Sequence, residues 1–109
     1  MQLELQPILV VTSCDSETVG DRIANSVLEE KLAACVQISG TVRSSYWWQG
    51  KIATDTEYLV TMKTDRKLFE RICELIRRVH PYEVPEIIAT EIVAIDKSYG
   101  RWLHTSLQQ

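Results

Sequence analysis

The sequence predicts an α+β domain of the ferredoxin-like class, with elements in the order β-α-β-β-α-β. Two segments have apolar residues at helical spacing, and short β-branched runs precede and follow each of them. Between the two segments, Gln49 and Gly50 are a turn signal that joins two strand-like runs into a hairpin. This order is that of the split βαβ arrangement, in which both helices pack on one face of a four-stranded antiparallel sheet. A length of 109 residues fits one domain, which we expect to cover residues 1–109.

The first half of the chain predicts a strand, a helix and one arm of a long hairpin. Residues 8–13 are a short β-branched run, typical of a strand. Over residues 16–32, valine, isoleucine and leucine recur every three or four positions, which indicates an amphipathic helix. Residues 33–48 alternate between apolar and polar types and predict one long strand, with a bend or bulge at Gly40.

The second half predicts the returning arm, a second helix, a fourth strand and a short terminal helix. Residues 51–63 form the returning strand, and Thr64 or Asp65 caps the helix that follows. That helix ends before Pro81, because proline lacks the N–H donor that a helix interior needs. Residues 87–95 predict the fourth strand and residues 97–107 the short terminal helix.

The first strand is apolar on both of its faces. Ile8 and Val10 have one parity, and Leu9 and Val11 have the other. The two helices can cover only one face of the sheet, so the second apolar face needs another cover. A second copy of the chain is the most economical cover, and we therefore expect an oligomer.

The predicted hairpin is longer than the body of a domain of this size. Residues 51–63 would extend about 43 Å at about 3.3 Å per residue, whereas a chain of about 100 residues has a radius of gyration of about 13 Å. We therefore expect the tip to overhang its own sheet and to reach a neighbouring subunit. Aromatic residues are enriched at interfaces. The predicted interface residues are Tyr46, Trp47 and Trp48 beside the turn, together with Trp102 of the terminal helix.

Composition excludes several classes of protein. The net charge is −3, without the basic excess of a nucleic-acid binder. No apolar stretch approaches the roughly 20 residues that span a bilayer, and the first residues lack the pattern of a signal peptide. Three cysteines without a CxxC pair indicate a reducing compartment, so we expect a cytoplasmic protein.

The element order brings three candidate metal ligands to one end of the sheet. Strand one ends there with Cys14, the second helix ends there with His80, and the fourth strand begins there after Glu83. A helix N-terminus after Cys14 would favour its thiolate, and thiolate with imidazole suits copper or zinc. Because two donors do not complete a zinc site, Glu83, Asp15, Glu86 or a second chain would supply the others.

Five segments of the sequence resemble a known family. Residues 31–38, 45–52, 62–64, 80–87 and 99–103 are similar in type and order to segments of the CutA divalent-cation tolerance family. The resemblance implies a very stable homotrimer of ferredoxin-like subunits, similar to the PII signalling trimers. It also implies an association with copper and with tolerance of divalent cations.

The resemblance also implies a set of metal ligands. Bacterial members have a cysteine after strand one and a pair of histidines before Pro-Tyr as proposed ligands. Cys14 matches the cysteine and His80 matches the second histidine, while Val79 stands at the first histidine position. Copper or a related cation would therefore have Cys14 and His80 as ligands here, with Glu83 as a third, and would bind more weakly than in relatives with both histidines.

Other interpretations compete with a metal site. Cys14 is equally consistent with a small buried core residue, and His80 with a helix C-terminal residue. A PII-like signalling trimer would bind a small anion or metabolite between subunits through Lys63, Tyr82 and Glu86. A trimeric scaffold for partner proteins is a third interpretation. The sequence has no catalytic motif, so we do not expect an enzyme.

Overall fold

The protein is an α+β domain built on an antiparallel sheet, as the sequence predicts. The structure, a computed structural model, describes residues 4–109. Its elements are β1 (Pro7–Cys14), α1 (Glu17–Glu29), β2 (Cys35–Ile38), β3 (Val42–Trp48), β4 (Lys51–Asp65), a 3-10 turn (Arg66–Leu68), α2 (Phe69–Val79), β5 (Ile88–Glu91) and α3 (Lys97–Ser106). No helix in this part of the chain is long and apolar enough to cross a membrane.

The described residues form five strands, and the prediction of four was wrong. The order across the sheet is β2-β4-β1-β5, and β3 pairs with β4 beyond β2. Residues 39–41 interrupt the predicted single strand, because three residues there stand opposite two of β4, between the Ile38–Val60 and Val42–Glu57 pairs. This extra residue is a bulge at the predicted bend, and it reverses which face each later residue of the arm occupies.

The last strand is shorter than predicted and covers only Ile88–Glu91. The N–H of Ile92 still donates to the carbonyl oxygen of Pro7, where β1 begins. Beyond that point residues 93–95 have no β1 residue opposite them, and the side chain of Val93 is 94% exposed. The apolar pattern over residues 87–95 therefore predicted a longer strand than the structure has.

The core lies between the sheet and the two long helices. Val10, Val60 and Met62 of the sheet are fully buried against α1 and α2. The aliphatic side chains that the helices bury are Ile23 and Val27 of α1 and Ile72, Leu75 and Ile76 of α2. A cap fixes where α1 begins, since Ser16 Oγ accepts from the N–H of Val19. The predicted cap at Asp65 lies on the 3-10 turn that precedes α2, where an Asp65 oxygen accepts from the N–H of Lys67, while Leu68 at the start of α2 makes no side-chain cap.

The second face of the sheet is only partly covered. Leu9 and Val11 remain half-buried there, and α3 contacts this face where Lys63 Nζ lies 5.6 Å from the centre of the Tyr99 ring. The long hairpin extends past the body, and the molecule measures 53 × 26 × 23 Å. The hairpin tip is therefore an arm that residues 4–109 leave uncovered.

Candidate functional site

One end of the sheet gathers residues that are far apart in the sequence. We call it the Cys14 end, and it comprises the end of β1, the C-terminus of α2 and the segment 80–87 that follows α2. Helix α2 ends where the N–H of His80 donates to the carbonyl oxygen of Ile76. His80 Nε2 lies 2.7 Å from the carbonyl oxygen of Ser13. The juxtaposition that the element order predicts for β1 and α2 is therefore present.

Both ring nitrogens of His80 are hydrogen-bonded. Because a carbonyl oxygen can only accept, Nε2 carries the proton and donates to Ser13. Nδ1 then keeps its lone pair and accepts from the N–H of Tyr82 at 3.1 Å. The ring is buried and lies 4.6 Å from the Tyr82 ring, centroid to centroid. The imidazole thus connects β1 to segment 80–87.

The thiol of Cys14 faces the core. Its side chain is fully buried, and Sγ donates to the carbonyl oxygen of Ser16 at 3.4 Å. Burial raises the pKa of this thiol above its ordinary value and outweighs the lowering by the Ser16 hydrogen bond. The expectation that the helix N-terminus would favour thiolate was therefore wrong, because the sulfur lies inside the protein.

Two tyrosine–carboxylate pairs lie beside the Cys14 end. The hydroxyl of Tyr82 donates to Glu57 Oε2 at 3.2 Å, and Glu57 is only 7% exposed. Burial, and then the charge of Glu57, raises the pKa of Tyr82 well above its ordinary value. The hydroxyl of Tyr46 donates to Asp55, and this hydrogen bond raises the pKa of Tyr46. Sequence reasoning missed Glu57 and Asp55, although their i, i+2 spacing on β4 already places both on one face.

The predicted metal ligands do not fit a metal within one subunit. Cys14 offers a buried thiol, His80 has no unoccupied ring nitrogen, and Glu83 is exposed. Across residues 4–109, no three or more His, Cys, Asp and Glu side chains are grouped so that they could hold a metal ion. The described residues of one chain therefore provide no complete set of metal ligands at this end.

The predicted cleft residues are also apart in one subunit. Lys63 pairs with Leu9 and Cys35, near the beginning of β1. Tyr82 contacts Glu57, which is about 20 Å away along β4 at about 3.3 Å per residue. Glu86 is exposed in the segment before β5. Lys63 and Tyr82 could therefore share one ligand only if they came from different subunits.

The predicted interface residues form two separate exposed aromatic groups. At the hairpin tip, Trp47 is 73% exposed and pairs with Ile52, which is 67% exposed and which sequence reasoning missed. Tyr46 and Trp48 are exposed beside them. Trp102 of α3 stacks on Tyr99 with ring centroids 5.2 Å apart. The tip and this stack lie at opposite ends of β4, about 40 Å of strand apart.

The chain matches one protein family over nearly its whole length. Residues 8–106 match the family model described as CutA1 divalent ion tolerance protein. The chain is 39% identical over 102 residues to the chloroplastic protein CutA 1 of rice, covering 94% of this chain and 58% of that protein. It is 40% identical over 95 residues to the divalent-cation tolerance protein CutA of Thermus thermophilus, covering 87% and 92%. The chain spans about half the length of the plant and animal relatives that it matches.

Solved structures share the fold over nearly the whole chain. The crystal structure of CutA1 from rice superposes with a TM-score of 0.93 at 38% identity, covering 96% of each chain. CutA1 from the psychrotrophic bacterium Shewanella sp. SIB1 gives 0.92 at 34% identity, covering 98% of this chain and 100% of that one. The CutA of Archaeoglobus fulgidus, described as periplasmic, gives 0.90 at 31% identity, covering 94% and 99%.

Proposed function

The chain belongs to the CutA1 divalent ion tolerance family, and on this basis we propose that it acts in divalent-cation tolerance as a homotrimer. The observation that carries the proposal is the hairpin arm, which ends in exposed Trp47, Trp48 and Ile52. Exposed apolar groups of this size mark interaction surfaces in soluble proteins. The sheet order β2-β4-β1-β5 supports a ferredoxin-like subunit in which β2 and β3 replace one long strand.

The positions of the two aromatic groups support a ring of subunits. The hairpin tip and the Tyr99–Trp102 stack are different surfaces at opposite ends of β4. A contact that joins different surfaces of two copies is heterologous, and such contacts close into rings when the rotation allows it. The resemblance to CutA proteins implies three subunits in the ring, and a trimer would give every arm a neighbour.

We propose that cation contacts form at the level of the assembly. One subunit groups no complete donor set within the described residues, yet carboxylates surround its Cys14 end. Asp15 is close enough for its charge to raise the pKa values of Cys14 and Tyr82, and Glu83 is exposed nearby. Carboxylates of adjoining subunits would complete a site for a divalent cation, with copper as the ion that the resemblance implies.

Calorimetric titration with Zn²⁺ and with Cu²⁺ tests this proposal. The reduced wild type is compared with a Trp47→Ala, Trp48→Ala double variant, which we expect to dissociate. The proposal predicts saturable binding in the wild type and at least about tenfold weaker binding in the dissociated variant. Equal affinity in both proteins, or no binding in the wild type, would contradict it.

A small anion is a second candidate ligand, favoured by the group around Lys63. Its ammonium lies over the Tyr99 ring, and Trp102 stacks on that ring while remaining partly exposed. A cation beside an exposed aromatic pair suits a planar anionic molecule. Tyr82 and Glu86 of a neighbouring subunit would then approach the same cleft. Loss of ligand binding in a Lys63→Ala variant that keeps its cation binding would favour this candidate over the first.

A further inference from the structure

We infer that Cys14 and His80 have a structural role at the end of β1, and that neither side chain is a metal ligand in this chain. These are the two positions that match the metal ligands of the family. The inference goes beyond the proposed function, because a trimer can bind a cation through other residues. It follows from the contacts that each side chain already makes.

The sulfur of Cys14 occupies an apolar site between α1 and the sheet. A Cβ atom added to Gly20 would lie 3.5 Å from Sγ and equally close to Ile38, with Val60 at 3.6 Å. A cation at this sulfur would lose its water among these aliphatic groups, which offer it no ligand atom.

The imidazole of His80 cannot bind a metal without breaking one of its two hydrogen bonds to the backbone. Coordination through Nδ1 would displace the N–H of Tyr82, and coordination through Nε2 would remove the proton that Ser13 accepts. Either change leaves a backbone group without its partner, buried at Ser13 and partly buried at Tyr82. The ring instead holds segment 80–87 in the position where Tyr82 reaches Glu57.

Val79 agrees with this assignment. It stands where the resemblance implies the first histidine, and its side chain packs against the hydrophobic core as part of α2. Position 79 therefore contributes apolar packing, as Cys14 does on the facing strand. A histidine introduced at position 79 would find no available metal ligand at positions 14 and 80.

Cobalt titration of the full chain tests the inference, because Co²⁺ bound to a thiolate gives a charge-transfer absorption. The probe is Co²⁺ alone, added to the reduced wild type and to Cys14→Ser, with Cys35→Ser as the matched control on a half-buried thiol. We expect no absorption that depends on Cys14, and Co²⁺ affinities of wild type and Cys14→Ser within about twofold. Absorption that Cys14→Ser abolishes and Cys35→Ser keeps would overturn the inference.

Two further measurements keep the inference testable if Cys14→Ser does not fold. Nitrogen NMR of the wild type should show the Nε2-protonated tautomer of His80 with and without excess Zn²⁺, and a metal-bound nitrogen signal would contradict the inference. A Val79→His variant should bind Co²⁺ no more tightly than the wild type. A Co²⁺ affinity about tenfold or more above that of the wild type would contradict the inference, because it would show that the Cys14 end can bind a metal. None of these signals reports the mass of the assembly, so the inference can fail while the proposed trimer stands, and the reverse.

Discussion

His80 Nε2 donates to the carbonyl oxygen of Ser13 across 67 positions of sequence, at a distance of 2.7 Å. This bond ties the C-terminus of α2 to the end of β1 and is buried. The same ring accepts from the N–H of Tyr82. The stability of the Cys14 end therefore depends on one neutral imidazole with a fixed tautomer.

Replacement of His80 by alanine should destabilise the fold. The change leaves the Ser13 carbonyl and the Tyr82 N–H unpaired, which costs about 2–3 kcal/mol in the free energy of unfolding. Urea unfolding followed by circular dichroism measures the loss. His104→Ala, at a half-buried position of α3, is the control and should cost clearly less than His80→Ala. Equal stability of the two variants would show that the His80 bonds contribute little.

The three thiols should react with a disulfide reagent in a fixed order. Cys14 and Cys73 are buried, and burial raises the pKa of both thiols, so they hold less of the reactive thiolate at neutral pH. Cys35 is half-buried and should react first. Stopped-flow labelling of native protein measures this, and Cys35→Ser should remove the fastest phase. A fast phase that persists in Cys35→Ser would contradict the burial of the other two thiols.

Alkaline pH should weaken the contact between Tyr82 and Glu57. The pKa of Tyr82 is raised in the folded state, mainly by burial and by the charge of Glu57. A raised pKa favours the protonated form, so its contribution is complete below the ordinary value of about 10 and is lost as the pH rises above it. Unfolding free energy measured from pH 8 to the alkaline limit should fall more steeply in the wild type than in Tyr82→Phe. Parallel slopes in the two proteins would argue against this linkage.

The hairpin tip should carry much of the energy of assembly. Trp47 and Trp48 lie on opposite faces of the arm, since they pair with Ile52 and Lys51 respectively. An alanine at a buried interface tryptophan should weaken assembly by about 2 kcal/mol or more. Sedimentation velocity over a dilution series measures this, and comparison of the two variants shows which face is covered. Thr56→Ala, on the exposed part of the same arm, is the control and should assemble like the wild type.

Much of the fold could be predicted from local patterns. Periodicity located both long helices, and turn chemistry at Gln49 and Gly50 located the hairpin. A bulge or bend was expected at Gly40, but the reversal of the strand faces depends on the register with β4. The length of β5 depends on where β1 begins, which the sequence of β5 does not contain.

The candidate site was predicted less well for the same reason. Element order placed β1 and α2 together, and the contact between Ser13 and His80 follows from it. The inward orientation of the Cys14 side chain could have been predicted, since Cys14 lies on the same face of β1 as the buried Ile8 and Val10. The burial of Glu57 could not have been predicted, because it depends on contact with Tyr82, which lies 25 positions away in an irregular segment.

Sedimentation equilibrium tests the central proposal most directly. A single chain has a mass of 12.5 kDa. The wild type at micromolar concentration should sediment as one species of three times that mass, because the arm tips and the open sheet face need neighbouring copies. A stable species of 12.5 kDa under the same conditions would contradict the proposal that the hairpin arms assemble this protein into a trimer.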